Sequence, residues 1–315
     1  MSITHKQHYV QRAYLSKWEE NNQLWIYDQV DRKIKNKGKN AICFEIDYYK
    51  LDRLSEDEKR LFEVLYKNLP YGLRKNIYEF NNILNCEIEI EAQSKKIKEF
   101  VTKIFNDNQC EIENKVFAQA GESIICDIEH GLSVEIWDKL FNSDSTFMDN
   151  EQDRVDFYTY IIGQVWRVPV KKKLLANSLN QIKCKTNANI SVDRMFPYFI
   201  YHQTIIESIL ISQYNKHKLF YLHIAGDSKF EFITSDNPVI NTCNDFDCNG
   251  TPKEYEFYWP ITPRLAVLIS EHQKEFCNPV SDDIIEKYNY LIYKNSNRYV
   301  ISHKQEMILK YSSSK

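Results

Sequence analysis

The chain has 315 residues, of which 43% are hydrophobic, so it can bury a substantial core in one large domain or two small ones. Its formal net charge of −3 excludes a general positive coat for nucleic acid, so any such binding must use a local patch. Only 7 glycines are present, and neither GxGxxG nor GxxxxGKS/T occurs, which argues against glycine-rich phosphate loops.

Cysteine usage and the lack of long apolar runs predict a cytoplasmic protein. The eight cysteines are scattered and form no CxxC pair, as is typical of free thiols in a reducing compartment. No apolar run reaches the ~18 residues that span a bilayer, and the N-terminus contains no apolar signal region, so we expect no membrane partner. Cys243 and Cys248, in a loop with two aspartates, leave zinc binding open as an alternative.

The N-terminal part of the chain predicts a short helix or turn followed by strands. Residues 8–18 have aromatic side chains at spacings that pack inward in a short helix or turn. Leu24–Tyr27 and Lys33–Lys35 flank the polar turn Asp28–Arg32 and predict a β-hairpin. Ile42–Tyr49 continues this region as an extended stretch.

From about residue 55 to residue 213 the pattern is predominantly helical. Ser55 is followed by three acidic residues, which is typical of a helix N-terminus, and leucine and phenylalanine then recur with helical spacing. The segments with helical periodicity are 73–84, 94–106, 110–128, 133–141, 150–167, 170–182 and 193–214.

After residue 217 the period changes to that of strands. Candidate strands are Leu219–Ile224, Phe230–Thr234, Glu256–Trp259, Leu265–Ser270, Arg298–Ser302 and Met307–Tyr311, with a helix at Ser281–Tyr293. Because the N-terminal strands have too few partners to be stable alone, we predict that they join the C-terminal strands in one mixed or mainly antiparallel sheet. The sequence therefore predicts a single α+β domain over residues 1–315, with a large helical insert over residues 55–213.

Short motifs lie at widely separated positions of the chain. HYVQRAYLSKW covers His8–Trp18, and WRVP covers Trp166–Pro169 at the end of a middle helix. TSDNPV covers Thr234–Val239, where an apolar run enters a tight polar turn, and WPITP follows at Trp259–Pro263. Turns at strand ends often carry binding and catalytic groups.

These motifs resemble a large bacterial family of proteins that carry a domain of unknown function. Its members open with a pattern close to HYVPxxYLxxF, and a middle helix ends in an arginine–small–proline element. They carry TSDNPV in the C-terminal half, followed by an apolar strand that ends in PLSP. The resemblance extends over roughly residues 5–303, and it implies a shared fold and site without a known reaction. Gln11 stands where the family usually has proline, which loosens the backbone after His8 but leaves the histidine in place.

The motifs at His8–Trp18 and Thr234–Val239 supply the first candidate site residues. His8 could act as a general acid or base, or it could be a structural histidine that bonds a backbone carbonyl. Asp236 could orient or ionise His8, or hold a metal, while Asn237 donates to an oxyanion or a phosphate; alternatively, both stabilise the turn through bonds to the backbone. Tyr9 and Ser235 are predicted to contact the substrate. Ser235 is not expected to be a nucleophile, because no GxSxG elbow is present.

Further candidates lie in the helical part and after the WPITP motif. Arg167 could clamp a phosphate or carboxylate through two parallel bonds, or it could be a helix C-terminal cation or an ion-pair partner. Glu63 is predicted on the core side of its helix, as an acid, base or metal ligand, or merely as a partner for Arg167. Lys171 could line the rim of a polyanion site or be solvated. Arg264 could add a second cation, or it could lie in an exposed loop.

Two functions of different classes are consistent with these residues. The first is a nuclease-type toxin or phage-defence effector that acts on a phosphodiester or nucleotide by general acid/base chemistry, because the candidates include proton-transfer and charge-stabilising groups. Its partner would be nucleic acid or a nucleotide, and a divalent metal such as magnesium is an open option. The alternative is a non-catalytic binding or sensor module for an anionic ligand or a phage protein.

Overall fold

The computed structural model describes residues 5–75, 77, 132–214, 216–243 and 254–312. Its helices and strands are β1 (Lys6–His8), α1 (Arg12–Leu15), β2 (Leu24–Asp28), β3 (Lys33–Lys37), β4 (Phe44–Ile46), α2 (Glu56–Tyr66), α3 (Val134–Phe141), α4 (Glu151–Trp166), α5 (Pro169–Thr186), α6 (Val192–Tyr214), β5 (Lys218–His223), β6 (Thr234–Ser235), β7 (Ile240–Asn241), β8 (Glu256–Thr262), β9 (Leu265–Ser270), α7 (Asp282–Asn295), β10 (Tyr299–Ser302) and α8 (Glu306–Ser312). The predicted helices 94–106 and 110–128, and most of 73–84, lie outside the described residues.

The chain divides into two compact units. Unit 1 comprises Met1–Gln7, Ile46–His130 and Val170–Glu207, and unit 2 comprises His8–Glu45, Gly131–Pro169 and Ser208–Lys315. The helices of the predicted insert over residues 55–213 are therefore divided between the two units, and a single domain over residues 1–315 stays a prediction. The short strands β1 and β4 form a two-stranded sheet.

Helix α2 of unit 1 begins with a capping box and packs on a neutral histidine. The Ser55 hydroxyl accepts from the Glu58 N–H at 3.2 Å, and the Glu58 carboxylate accepts from the Ser55 N–H at 2.7 Å. Phe62 and Tyr66 on the buried face contact the His202 ring edge-on, at centroid distances of 4.9 and 5.2 Å. Burial lowers the pKa of His202 to about 3, so this imidazole is a neutral part of the core.

Unit 2 contains a four-stranded sheet in the order β3-β2-β10-β6, which joins segments from both ends of the chain. The predicted hairpin forms, with β2 antiparallel to β3, and β10 pairs antiparallel with both β2 and β6. In one register row, Ile26 lies opposite Ile301, which lies opposite Thr234 of the TSDNPV motif. The prediction that N-terminal strands join C-terminal strands is therefore confirmed.

The remaining C-terminal strands of unit 2 form a second antiparallel sheet in the order β5-β9-β8-β7. Strands β8 and β9 are buried along almost their whole length, as expected for their apolar sequences. The WPITP motif lies in β8, where the pairing with β9 shifts between Pro260 and Thr262. Proline has no N–H to donate to the ladder, so an irregularity at this position is expected.

The fold class is α+β, as predicted. The prediction of a last strand at Met307–Tyr311 is wrong, because this segment lies in helix α8, with Ile308 and Tyr311 buried one turn apart. The predicted strand Phe230–Thr234 is also largely wrong, since only Thr234 and Ser235 pair with a neighbouring strand. Among the helices in the described ranges, none combines the length and apolar character needed to cross a membrane.

Candidate functional site

The TSDNPV motif forms strand β6 and the turn that follows it. Thr234 and Ser235 pair antiparallel with β10, and the Asp236 N–H donates to the Tyr299 carbonyl oxygen at 3.0 Å. Thr234, Ser235 and Asp236 are each 0% exposed. The turn therefore lies in the interior of unit 2, whereas a strand end that binds ligands is usually open to solvent.

The polar side chains of the turn are bonded to other parts of unit 2. Thr234 Oγ1 lies 2.6 Å from the phenol oxygen of Tyr14. The Ser235 hydroxyl donates to the Asn237 carbonyl oxygen at 3.0 Å and accepts from the Asn237 N–H at 3.1 Å. The Asn237 side-chain amide donates to the Asn295 carbonyl oxygen at 3.0 Å. These contacts are those of side chains that fix a turn.

The carboxylate of Asp236 is also bonded to the backbone. Its two oxygens accept from the N–H groups of Asn297 and Arg298, at 2.8 and 2.7 Å. Burial raises the pKa of Asp236, and the backbone hydrogen bonds oppose this shift. Burial, and then the Asp236 charge, raise the pKa of the Cys43 thiol well above its ordinary value. In this arrangement Asp236 ties the TSDNPV turn to the segment before β10, and its predicted pairing with His8 stays a prediction.

His8 and Tyr9 lie where β1 ends. His8 is half-buried, and its ring centroid lies 5.7 Å from that of Phe44. The Tyr9 N–H donates to the Cys43 carbonyl oxygen at 3.0 Å, and its side chain hydrogen-bonds the Cys43 thiol. Tyr9 is only 4% exposed, so it presents almost no surface to a substrate.

Arg167 follows the last residue of α4, as predicted, and is completely buried. Its Nη2 donates to Gln164 Oε1 at 2.5 Å. A guanidinium in this position has no access to a phosphate in solution, so the geometry favours the structural alternative. In unit 1, Lys171 is half-buried; burial lowers the pKa of its amine, and the Glu207 carboxylate opposes this shift.

The predicted core-side position of Glu63 is wrong, because Glu63 is exposed. The buried acid of α2 is Glu58, which lies one helical turn before Phe62. The Glu58 carboxylate accepts from Nε and Nη2 of Arg194, with nitrogen–oxygen distances of 2.9 to 3.2 Å, and also from the Ser191 N–H at 2.7 Å. Glu58 is therefore fully used in holding unit 1 together.

Arg264 lies after the WPITP motif and is half-buried. Its guanidinium donates to the Ala225 carbonyl oxygen and lies 3.7 Å from Glu231, which also pairs with Lys304 at 2.7 Å. Arg264 therefore links the β8–β9 turn to the segment after β5 rather than offering an isolated second cation.

Within the part of the chain that the structure describes, no three His, Cys, Asp or Glu side chains are grouped so as to hold a metal ion. Magnesium stays an open option for the function proposed from the sequence. Cys248, which the zinc alternative requires together with Cys243, lies outside the described residues.

Two arrangements in unit 2 were missed by sequence reasoning. Asn289 accepts from the Ile233 N–H at 2.9 Å and donates to the Glu231 carbonyl oxygen at 2.8 Å, so it holds the segment before the motif. An asparagine on the apolar face of α7 was a usable signal for this role. The Ser143 hydroxyl lies 2.7 Å from His223 Nε2, and no sequence pattern connects these two residues.

These features define an α+β protein in which both ends of the chain build one antiparallel sheet beside a buried TSDNPV turn. The family profile described as "Protein of unknown function (DUF4238)" matches residues 6–170 and 73–306, and the chain belongs to this family. No curated protein and no solved structure matches the chain. The predicted membership of a family of unknown function is confirmed.

Proposed function

We propose that this protein is a non-catalytic binding module that contacts the phosphate backbone of a nucleic acid through the β2–β3 hairpin. The observation that carries the proposal is a run of five cations at the exposed edge of the β3-β2-β10-β6 sheet, namely Arg32, Lys33, Lys35, Lys37 and Lys39. We call these five residues the basic edge. They form the kind of local patch that a chain of net charge −3 needs in order to bind a polyanion.

Two cations of the basic edge are neutralised by acids of unit 2. Lys35 pairs with Asp28 at 3.1 Å and also with Asp31. Lys39 pairs with Glu19 at 2.5 Å. These pairs hold the hairpin in place, and their charges contribute little to binding an anion.

The other three cations of the basic edge are available to a ligand. Arg32, Lys33 and Lys37 are exposed, and none has an acidic partner within 4.0 Å among the residues that the structure describes. Because side chains alternate along a strand, Lys33 and Lys37 lie on one face, with Lys35 between them at steps of about 7 Å. This step is about twice the 3.4 Å spacing of charges along one DNA strand, so a backbone can follow the strand.

The TSDNPV turn supports this function indirectly. Its residues fix β6 against β10, β10 pairs with β2, and β2 carries the edge strand β3. Asp236 is 0% exposed and accepts two backbone N–H groups, which supports a structural role in preference to proton transfer. A nuclease at this turn would need a group that reaches the substrate, so the binding function is the better supported of the two hypotheses.

The proposal is tested by the salt dependence of nucleic-acid binding, measured by fluorescence anisotropy. Neutralising three phosphates of a duplex gives a slope of log Kobs against log salt concentration of about −2.7, and for a single strand about −2. Replacing Arg32, Lys33 and Lys37 together by serine should bring the slope close to zero. A slope that the triple variant leaves unchanged would place binding elsewhere and contradict the proposal.

A matched control removes the same number of charges from other exposed positions. Lys183, Lys185 and Lys229 are exposed and lie away from β3 in the sequence. Replacing these three by serine changes the net charge equally but should leave the slope as in the wild type. If both triple variants lose affinity equally, the effect is one of net charge alone, and the basic edge has no specific role. Lysines on an edge strand also protect it from aggregation. If the wild type binds no nucleic acid, this protection is the role that remains for the lysines of the basic edge.

A further inference from the structure

An open groove of about 470 Å³ in unit 2 carries a serine–histidine pair that is separate from the basic edge. Ser143 and His223 line the groove together with Phe220, Phe276 and Lys274. The Ser143 hydroxyl lies 2.7 Å from His223 Nε2. A hydroxyl within hydrogen-bond reach of an imidazole nitrogen is the geometry of an activated nucleophile.

Ser143 occupies a backbone position that usually carries glycine. It follows helix α3 with φ of 57°, in the left-handed region. Its N–H donates to the Leu140 carbonyl oxygen at 3.2 Å. The next N–H, that of Asp144, donates to the Lys139 carbonyl oxygen at 2.8 Å, which closes the helix end. Glycine would meet this backbone requirement at lower cost, so the serine side chain needs an explanation other than the turn itself.

The backbone of His223 is held by hydrogen bonds at both its N–H and its carbonyl oxygen. The His223 N–H donates to Asn278 Oδ1 at 3.1 Å, and the His223 carbonyl oxygen accepts from the Val280 N–H at 2.8 Å. His223 is half-buried, so its ring is both positioned by β5 and open to the groove. A positioned imidazole is the side chain that most often accepts a proton from a serine nucleophile.

We infer that Ser143 and His223 form a nucleophile–base pair that cleaves small neutral carboxylic esters with an aromatic or apolar group. The rings of Phe220 and Phe276 lie 6.4 Å apart, edge to face, and give the groove apolar walls. Lys274 is paired with Glu256 at 2.8 Å, and Glu275 also lines the groove, so the lining does not favour an anion. This activity goes beyond the proposed nucleic-acid binding and does not depend on it.

In the proposed reaction, protons and bonds are exchanged between Ser143, His223, the ester and water. Ser143 Oγ attacks the carbonyl carbon and forms an acyl–oxygen bond, while its proton passes to His223 Nε2. The ester carbon–oxygen bond breaks, and the leaving alcohol takes that proton from the imidazolium. Water then attacks the acyl carbon while its proton passes to the same imidazole. The bond from the acyl carbon to Ser143 Oγ breaks, the imidazolium returns the proton to Ser143 Oγ, and the carboxylic acid leaves.

The test is covalent labelling of the whole chain with a fluorophosphonate, located by peptide mass spectrometry, together with turnover of p-nitrophenyl butyrate. The wild type should form one adduct, on Ser143. Ser143→Gly should form none while keeping or raising the melting temperature, because glycine suits the left-handed backbone. Ser16→Ala, at another exposed helix end, should label as the wild type does.

His223→Gln separates a base from a structural partner, because glutamine can hydrogen-bond Ser143 but cannot take up its proton. Labelling should slow by at least about a hundredfold, because loss of a general base costs about that much. An adduct on another residue, equal labelling of Ser143→Gly, or wild-type labelling of His223→Gln would overturn the inference and leave the pair as a link between α3 and β5.

Discussion

The phenol of Tyr14 and the hydroxyl of Thr234, which are 220 residues apart in sequence, lie 2.6 Å apart inside unit 2. The same phenol donates to the carbonyl oxygen of Pro260 at 2.6 Å, so the Thr234 hydroxyl acts as a donor to Tyr14. Tyr14 belongs to the N-terminal motif, Thr234 to TSDNPV and Pro260 to WPITP. Three motifs that are far apart in sequence therefore meet at one buried oxygen, and this contact gives them a shared role in the fold.

Removing the phenol oxygen should destabilise the protein. Tyr14→Phe leaves the Thr234 hydroxyl and the Pro260 carbonyl oxygen buried without this partner, which we expect to lower the free energy of unfolding by about 1–3 kcal/mol. Urea denaturation measures the change. Tyr290→Phe is the control, because Tyr290 is half exposed and should change stability by less than about 0.5 kcal/mol.

A double-mutant cycle with Thr234→Val isolates the interaction between the two side chains. If the bond is as the structure has it, the two single changes should be non-additive by roughly 0.5–3 kcal/mol. Additive effects would mean that Tyr14 and Thr234 act independently, and the meeting of the motifs at this oxygen would lose its energetic support.

Asp236→Ala decides between a structural and a catalytic TSDNPV turn before any substrate is known. The change leaves the N–H groups of Asn297 and Arg298 without their acceptor in a buried site. We expect a loss of about 1–3 kcal/mol in the free energy of unfolding, seen as a lower melting temperature. Removal of a catalytic group seldom destabilises a protein, so an unchanged or raised melting temperature would contradict the structural role and revive the catalytic one.

Acid should weaken the β3-β2-β10-β6 sheet through Asp28. Burial alone would raise the pKa of this carboxyl, but hydrogen bonds from Arg298 and Lys35 outweigh it and lower the pKa to about 2. Because the folded pKa lies below the ordinary value of about 3.8, the folded state binds fewer protons between these values. The resulting stabilisation is present above about pH 4 and is lost as the pH falls towards 2.

The size of this effect is about 1–2 kcal/mol after allowance for the solvent around the two cations. It can be measured as the difference in unfolding free energy between the wild type and Asp28→Asn from pH 7 to pH 2. The unfolding free energy of the wild type should exceed that of Asp28→Asn above about pH 4, and this difference should disappear as the pH falls towards 2. A difference that is constant over this range would show that the charge of Asp28 does not stabilise the fold.

The sequence correctly predicted those helices and strands whose formation depends on neighbouring residues. The hairpin at Leu24–Tyr27 and Lys33–Lys35 follows from two β-type runs around a polar turn, and the capped start of α2 follows from Ser55 with acids behind it. The union of N- and C-terminal strands followed from the need of an isolated hairpin for partners. These inferences needed only periodicity, turn chemistry and strand count.

The site could not be predicted to the same degree, because its contacts are set by the tertiary structure. The sequence indicates that Tyr14 is buried, but nothing local specifies that its partner is Thr234. The Glu63 prediction is wrong because Leu65 suggested a core stripe on that side of α2, whereas Leu65 is 48% exposed and the stripe runs through Glu58 and Phe62. The Ser143–His223 contact depends on the placement of α3 beside β5, which no periodicity encodes.

The corrected position of the buried acid in α2 gives a matched pair of variants on one helix. Glu58→Ala removes the carboxylate that caps the helix at Ser55 and pairs with Arg194. Because a charged partner loses its counter-ion and a helix loses its cap, we expect a loss of about 3 kcal/mol in unfolding free energy. Glu63→Ala, on the exposed side of the same helix, should change it by less than about 0.5 kcal/mol.

The two variants share the host helix and the lost charge, so helix propensity and net charge cancel in the comparison. The measurement is urea denaturation of the wild type, of Glu58→Ala and of Glu63→Ala. A fourth protein carries Glu58→Ala and Arg194→Met together. If the Glu58–Arg194 pair is the source of the effect, Arg194→Met should recover part of the loss in the Glu58→Ala background, because no unpaired cation remains. Equal stability of Glu58→Ala and Glu63→Ala would show that α2 does not bury its acid as the structure describes.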